Sequence, residues 1–231
     1  MKARILDIPV VELIIFDGDG VLFNHRDAAE RHFSEAARHA GLSQKALDRF
    51  FANLGNDDYA NCHTITATAA VIWPDSSPEQ LRVWQEELWR IERARPLGAI
   101  AGAVETLQWV RRRGIKTGLC TNNDDEILAW KLQETGISQD LFDVIYTSSN
   151  GASKPNPHAL RSVYWQAGVP HDHTLYVGDW YTDIYCARMA NIEFIGVLTG
   201  FLPREGFLRE CVAEDHIVDS VADLPKLCLI E

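Results

Sequence analysis

The feature that most constrains the fold is an alternation of apolar strand-like segments with helical segments in the second half of the chain. From Leu97 onward a helix is predicted over "AIAGAVETLQWVRRRG", a strand in "IKTGLCTN", a helix in "DEILAWKLQETG" and a strand in "FDVIYTSS". A helix over residues 156–168, strand "TLYVGD", helix "TDIYCARMA" and strand "EFIGVLTG" continue the pattern. Strands separated by helices of about a dozen residues indicate βαβ units and a parallel sheet that helices cover on both faces. We therefore expect an α/β fold with a doubly wound parallel sheet.

A further strand of this sheet lies near the N-terminus, in the apolar run "VVELII" that precedes "FDGDG". Residues 24–95 show helical patterns and no strand signal of comparable quality. The sequence therefore predicts a Rossmann-like core, residues 1–24 and 96–231, interrupted by an inserted all-helical cap of residues 25–95.

Helix-start signals mark the insertion. Ser77 is a predicted N-cap, with Pro78 at the first helical position and Gln80 completing a capping box. Ser43 is expected to open a second helix, and Asp27 to cap a third. The insertion is also rich in aromatic residues. They could form a platform for a nucleotide base or pyridine ring, but the apolar stripe that contains Trp84 favours a role in the core of the insertion.

Composition excludes several classes of partner. The chain has 231 residues, 46% of them hydrophobic, and a formal net charge of −11, which argues against broad nucleic-acid or anionic-membrane surfaces. Five scattered cysteines without a CxxC spacing indicate reduced thiols and no zinc site. The N-terminal apolar run is interrupted by Asp7, Pro9 and Glu12, which is unlike a signal peptide, so a cytoplasmic location is expected. Oligomeric state is not indicated.

Polar side chains follow the predicted strands where each strand ends. Ligands of open parallel sheets bind at this edge, beyond the carboxyl ends of the strands. The residues placed there are Asp17 and Asp19 after the first strand, Thr121 and Asn122 after "GLC", Lys154 in "SKPNP", and Asp179 and Asp183 in "GDWYTD".

This set of residues has a chemical logic. Carboxylates crowded at one edge repel each other and favour a hard cation with oxygen ligands, of which Mg²⁺ is the natural choice. Lysine and hydroxyl groups would then hold phosphoryl oxygens. The simpler interpretation of "FDGDG" is a tight Asp-Gly turn. A calcium-binding EF-hand is excluded, because Val21, Leu22 and Ala28 stand where its oxygen ligand, glycine and glutamate are required.

With these motifs in order, the chain resembles the haloacid dehalogenase superfamily, in its phosphoglycolate phosphatase-like branch with a C1-type helical cap. "FDGDGVL" is similar to the first family motif, "LCTN" to the second, Lys154 in "SKPNP" to the third and "GDWYTD" to the fourth. The first motif has Val21 where many family phosphatases have threonine, and the family pattern tolerates this residue.

The resemblance implies a role for each of these residues. Asp17 would be the nucleophile that forms an aspartyl-phosphate, and Asp19 the general acid and then the base. Thr121, Asn122 and Lys154 would bind the phosphoryl group. Mg²⁺ would be held by the Asp17 carboxylate, the Asp19 backbone carbonyl and Asp179, with Asp183 close by.

The function this implies is Mg²⁺-dependent hydrolysis of a small phosphomonoester. A phosphosugar mutase of the β-phosphoglucomutase type shares Asp17 and Asp19 and stays open as an alternative, as does a non-catalytic binding module. The cap would act as a lid, which implies a small phosphorylated metabolite as substrate. In the cap loop "LGNDDYANCHT", Asn56, Tyr59 and His63 are possible specificity contacts. Phosphoglycolate, nucleoside monophosphates, sugar phosphates and pyridoxal phosphate all fit the sequence.

Overall fold

A computed structural model describes residues 3–5, 8–54, 62, 64–95 and 97–230 of the chain. The strands are β1 (Ala3–Ile5), β2 (Ile8–Val11), β3 (Leu13–Phe16), β4 (Lys116–Cys120), β5 (Val144–Tyr146), β6 (Thr174–Gly178), β7 (Glu193–Val197), β8 (Ile217–Val218) and β9 (Cys228–Ile230). The helices are α1 (Arg26–His39), α2 (Gln44–Ala52), α3 (Ile65–Ile72), α4 (Pro78–Arg93), α5 (Ala103–Arg112), α6 (Asp125–Thr135), α7 (His158–Ala167), α8 (Tyr181–Ala190), α9 (Arg204–Arg209) and α10 (Leu224–Leu227).

The main sheet has six strands in the order β5-β4-β3-β6-β7-β8, and every neighbouring pair is parallel. Its central strand β3 is fully buried, with Leu13 and Ile15 in one apolar cluster and Ile14 and Phe16 in another. Because successive side chains of a strand point to opposite faces, these two clusters cover the two faces of the sheet. The predicted doubly wound α/β fold is confirmed.

The register of the sheet brings three strand ends together. Phe16, the last residue of β3, pairs with Leu119 of β4 on one side and with Val177 of β6 on the other. The residues that follow these strands therefore meet at one edge, which is the edge that the sequence predicted to carry the functional groups.

The first apolar run is divided between two sheets, which the sequence did not predict. Strand β2 pairs with β1 in a separate antiparallel sheet of order β2-β1-β9, and the main sheet takes up only Leu13–Phe16. The break falls at Glu12, whose side chain is half exposed beside His173. A charged residue at this position favours the sheet margin over its buried centre.

The described residues between β3 and α5 are dominated by helices α1 to α4, which share a core of their own. Trp84 is fully buried in it, as its stripe predicted. The caps at Ser43 and Ser77 are confirmed, the latter with its complete capping box. The predicted cap at Asp27 is wrong, because Asp27 lies inside α1. This helix begins at Arg26, behind an N-cap His25 that makes no side-chain capping bond. The domain limits at residues 25 and 95 stay a prediction.

None of the described helices combines the length and the apolar composition needed to cross a lipid bilayer. The cytoplasmic location stays a prediction.

Candidate active site

The "FDGDG" segment forms a tight turn at the end of β3. The Gly18 carbonyl accepts hydrogen bonds from the Leu22 and Phe23 amides at 2.8 and 2.9 Å, and the Gly18 amide donates to Asp17 Oδ1 at 2.7 Å. The Asp17 amide continues the sheet ladder by donating to the Val177 carbonyl. This geometry combines the two interpretations of the motif, because the Asp-Gly turn is also what fixes the Asp17 carboxylate at the sheet edge.

Lys154 forms a buried bridge between two carboxylates. Its Nζ lies 2.6 Å from Asp17 Oδ1 and 2.7 Å from Asp183 Oδ1, and donates to the Tyr176 hydroxyl at 2.9 Å. Burial alone would lower the pKa of Lys154, but the charges of Asp17 and Asp183 outweigh it and hold that pKa well above its usual value. Asn122 fixes the lysine backbone from both sides, accepting from its amide and donating to its carbonyl.

Three buried carboxylates gather beside this bridge. Asp17, Asp179 and Asp183 each offer an oxygen within 4.8 Å of the others. Asp183 accepts hydrogen bonds from the amides of Asp179 and Trp180 at 3.1 and 3.0 Å, so it stabilises the loop between β6 and α8. Asp17 and Asp179 face the cavity in front of the sheet edge, and Asp183 lies behind them.

The electrostatics of this cluster fit a divalent cation. Burial raises the pKa of Asp17 to about 7, and burial together with the charge of Asp183 raises the pKa of Asp179 well above its usual value. Both shifts show that Lys154 only partly offsets the burial and crowding of these carboxylates. An all-oxygen donor set is what Mg²⁺ takes in proteins, so the residues present fit such an ion.

Two glycines leave room for the Asp179 carboxylate. A Cβ atom at Gly20 would lie 2.4 Å from Asp179 Oδ2, and one at Gly200 would lie 1.7 Å from it. Gly20 also has a φ of +76°, which disfavours other residues. Side chains at these two positions would displace the carboxylate.

Thr121 follows β4 at the same edge and is 3% exposed. Its amide donates to the Tyr146 carbonyl, and its hydroxyl oxygen accepts from the amide and the side-chain nitrogen of Asn123 at 3.2 and 3.1 Å. The hydroxyl is therefore fixed between β4 and the first turn leading to α6.

Asp19 is held by a lysine that the sequence analysis missed. Lys131 of α6 is 4% exposed, and its Nζ donates to both carboxylate oxygens of Asp19, at 2.5 and 2.7 Å. Asn123 donates to Asp19 Oδ2 at 2.8 Å. Burial would raise the pKa of Asp19, but Lys131 outweighs it, with a smaller contribution from His25, and lowers that pKa to about 2. Asp19 is therefore an ionised carboxylate at neutral pH.

The predicted site residues come together in one cavity. Its walls include Asp17, Asp19, Thr121, Asn122, Lys154 and Asp179. Asp183 touches Lys154 from behind the cavity. The possible specificity contacts Asn56, Tyr59 and His63 lie outside the described residues.

Comparisons with known proteins bear on the family and the fold of the chain. Residues 14–197 match the family model of the haloacid dehalogenase-like hydrolases. Phosphoglycolate phosphatase 1 of Pseudomonas aeruginosa is 28% identical over 123 residues, which are 53% of this chain and 44% of that protein. The match thus spans less than half of the relative.

Two solved structures share the fold over almost the whole chain. A hydrolase from Pseudomonas syringae has a TM-score of 0.70 and 20% identity, covering 93% of this chain and 96% of that one. A predicted phosphoglycolate phosphatase from Haemophilus somnus has a TM-score of 0.73 and 19% identity, covering 94% and 97%. At these identities the likeness concerns the fold.

Proposed function

Because the chain belongs to the haloacid dehalogenase-like hydrolases, we propose that it is a Mg²⁺-dependent phosphatase that hydrolyses a small phosphomonoester through an aspartyl-phosphate on Asp17. The observation that carries this proposal is the buried Asp17 carboxylate, which contacts Lys154 and faces a cavity beside Asp19 and Asp179. Phosphatase activity is also the function of the curated relative by its name.

Asp17 is the proposed nucleophile. Its carboxylate oxygen forms a bond to phosphorus while the bond from phosphorus to the ester oxygen breaks. Lys154 compensates the negative charge of Asp17 and of the arriving phosphoryl group, and Thr121 orients a phosphoryl oxygen. Since Lys154 is itself fixed by Asp183 and Tyr176, this charge is preorganised before substrate binds.

Mg²⁺ would be held by the carboxylates of Asp17 and Asp179 and by the backbone carbonyl of Asp19, with Asp183 supporting them from behind. When bound, such an ion compensates the charge of the carboxylates and of the phosphoryl oxygens. Gly20 and Gly200 leave the space that the Asp179 carboxylate needs among these metal ligands.

Asp19 is the proposed proton-transfer group. In the second half of the reaction its carboxylate takes a proton from the water that attacks the aspartyl-phosphate, which frees Asp17 and releases phosphate. In the first half, Asp19 takes up a proton from solvent as the anionic phosphoryl group binds beside it, and it passes this proton to the leaving oxygen, which returns Asp19 to its carboxylate form. The Lys131 ion pair keeps Asp19 in its basic form before substrate arrives.

The test is phosphate release from a panel of small phosphomonoesters, with Mg²⁺ or with EDTA, by the wild type and by Asp17→Asn. We expect Mg²⁺-dependent turnover that the substitution abolishes. The Asp17→Asn protein should keep its circular dichroism spectrum and bind phosphate, which separates loss of the nucleophile from loss of the fold. Turnover that survives Asp17→Asn would overturn the mechanism. Isomerisation of a sugar phosphate that requires a sugar bisphosphate activator and releases no phosphate would favour the mutase alternative.

A further inference from the structure

The cavity in front of Asp17 is larger than a phosphoryl group requires. It measures about 380 Å³, and its walls run from the catalytic carboxylates to side chains of α1, α2 and α4 in the insertion. Cavities of roughly 300–1,000 Å³ hold ligands of the size of a metabolite with a ring or a drug. The part beyond the phosphoryl position is therefore available to the leaving group.

Aromatic side chains form one wall of this part. Phe201 lies 6.3 Å from Phe51 and 6.4 Å from Trp180, measured between ring centroids, and all three are only partly buried. The indole N–H of Trp180 already donates to the Cys62 carbonyl at 3.1 Å. The ring therefore presents mainly carbon to the cavity. Trp89 lines the same cavity and is 40% exposed. Partly exposed rings of this kind gain free energy when a flat apolar group covers them.

The charge on the cavity wall disfavours a second anionic group. Among the described side chains, Glu92 Oε1 is buried without a hydrogen-bond partner, and it lies 3.8 Å from His25 Nδ1. A ligand carboxylate near Glu92 would meet a like charge.

The cationic side chains of the described wall already have partners. Lys131 and Lys154 bind the catalytic carboxylates, and Arg93 pairs with Glu126 at 2.9 Å. Arg26 donates to the Leu198 carbonyl, a neutral acceptor, and therefore keeps a net charge at an exposed position. It is the side chain on which recognition of a carboxylate would depend.

We propose that the leaving group of the physiological substrate is an uncharged group with a flat ring, which packs on Phe51, Trp180 and Phe201. This rests on the proposed phosphatase function. A compact acid such as glycolate would leave the aromatic wall uncovered and would bring a second anionic group into a cavity whose wall includes Glu92.

The test compares three phosphomonoesters of primary alcohols: 2-phenylethyl phosphate, ethyl phosphate and 2-phosphoglycolate. We expect kcat/KM for 2-phenylethyl phosphate to exceed that for ethyl phosphate by roughly tenfold or more. Phe51→Ala should reduce this ratio toward one, and Phe51→Leu should reduce it less. Trp165→Ala, which truncates an exposed ring elsewhere on the surface, is the matched control and should not change the ratio. Melting temperatures verify that each variant is folded.

Two further variants test the charge argument. Glu92→Gln should raise kcat/KM for 2-phosphoglycolate relative to ethyl phosphate, and Arg26→Gln should leave that ratio unchanged. A wild type that prefers 2-phosphoglycolate and loses this preference in Arg26→Gln overturns the inference while the phosphatase function stands. Equal use of 2-phenylethyl and ethyl phosphate also overturns it. If no ester is hydrolysed with any metal, the proposed function itself fails, and this inference fails with it.

Discussion

Lys131 Nζ lies within 2.7 Å of both carboxylate oxygens of Asp19, although the two residues are 112 positions apart in the chain. The pair is held between α6 and the loop after β3. It keeps Asp19 ionised and oriented, which suits removal of a proton from water and leaves Asp19 without a proton of its own. Lys131 therefore acts through Asp19 as a positioning residue.

We expect Lys131→Met to slow hydrolysis of the aspartyl-phosphate more than its formation. With p-nitrophenyl phosphate, whose leaving group needs no protonation, the first step should proceed at a near wild-type rate. The steady-state rate should fall about a hundredfold, since a positioned acid or base contributes factors of this order. Rapid-mixing kinetics should then show a burst of nitrophenolate equal to one per active site.

Lys45→Met, on an exposed position of α2, is the matched control and should show wild-type kinetics. If burst and steady-state phases slow by the same factor, Lys131 acts in phosphate binding or in folding and not through Asp19.

The crowding of Asp17 and Asp179 predicts a conflict between stability and metal binding. Asp179→Asn removes one buried charge from the cluster, so the metal-free protein should gain about 1 kcal/mol, or about 2–4 °C in Tm. Mg²⁺ should raise the Tm of the wild type, because it binds the folded state, and should raise that of the variant much less. Thermal scans at matched ionic strength, with NaCl replacing MgCl₂, measure both effects. A variant less stable than the metal-free wild type would contradict the electrostatic account.

Tyr176, like Asp183, contacts Lys154 from behind the cavity. Its hydroxyl donates to Asp183 Oδ1 at 2.7 Å and accepts from Lys154 Nζ, and its side chain is fully buried. Tyr176→Phe should cost about 1–3 kcal/mol of unfolding free energy, because it leaves charged groups one hydrogen bond short. Tyr146→Phe is the matched control. Its hydroxyl accepts from the neutral Ala152 amide at 3.1 Å, so the loss should be smaller, about 1 kcal/mol. Urea titrations measure both, and equal losses would contradict a special role of the charged partners.

The convergence of the site residues at one sheet edge could be predicted from the sequence, because it follows from a general property of parallel sheets. Parallel strands end at one edge, so carboxylates, a threonine and a lysine that follow different strands must converge there. The register of β3 with β4 and β6 realises this for Asp17, Thr121 and Asp179.

Lys131 could not be predicted in this way, because in the sequence it lies within a helix and does not directly follow a strand. A signal did exist: Leu128, Lys131 and Leu132 share one stripe of α6, and all three are buried. A lysine within an apolar stripe requires a buried partner. The identity of that partner, Asp19, depends on how α6 packs against the sheet, and the local pattern contains no information on this.

The division of the first apolar run was also beyond local reasoning. Both halves favour strands, and tertiary pairing decides that Ile8–Val11 joins β1 while Leu13–Phe16 enters the main sheet. The exposed Glu12 between them is the local sequence signal of this division.

The hydrogen bonds of His216 predict a pH dependence of folding stability that is independent of the catalytic cluster. Hydrogen bonding to Glu193 is the main cause that raises the pKa of His216 from 6.5 to about 8, and Asp215 on the other ring nitrogen adds to it. Because the folded-state pKa is the higher one, this contribution is complete below pH 6.5 and is lost as the pH rises through 8. Solvent around the partners reduces it to about 1 kcal/mol, or about 2–4 °C in Tm. We expect His216→Gln to lack the fall in Tm between pH 6 and 9 that the wild type shows. His158→Gln, which changes an exposed histidine of α7, should retain it. A fall of the same size in the His216→Gln protein would assign the pH dependence to other groups.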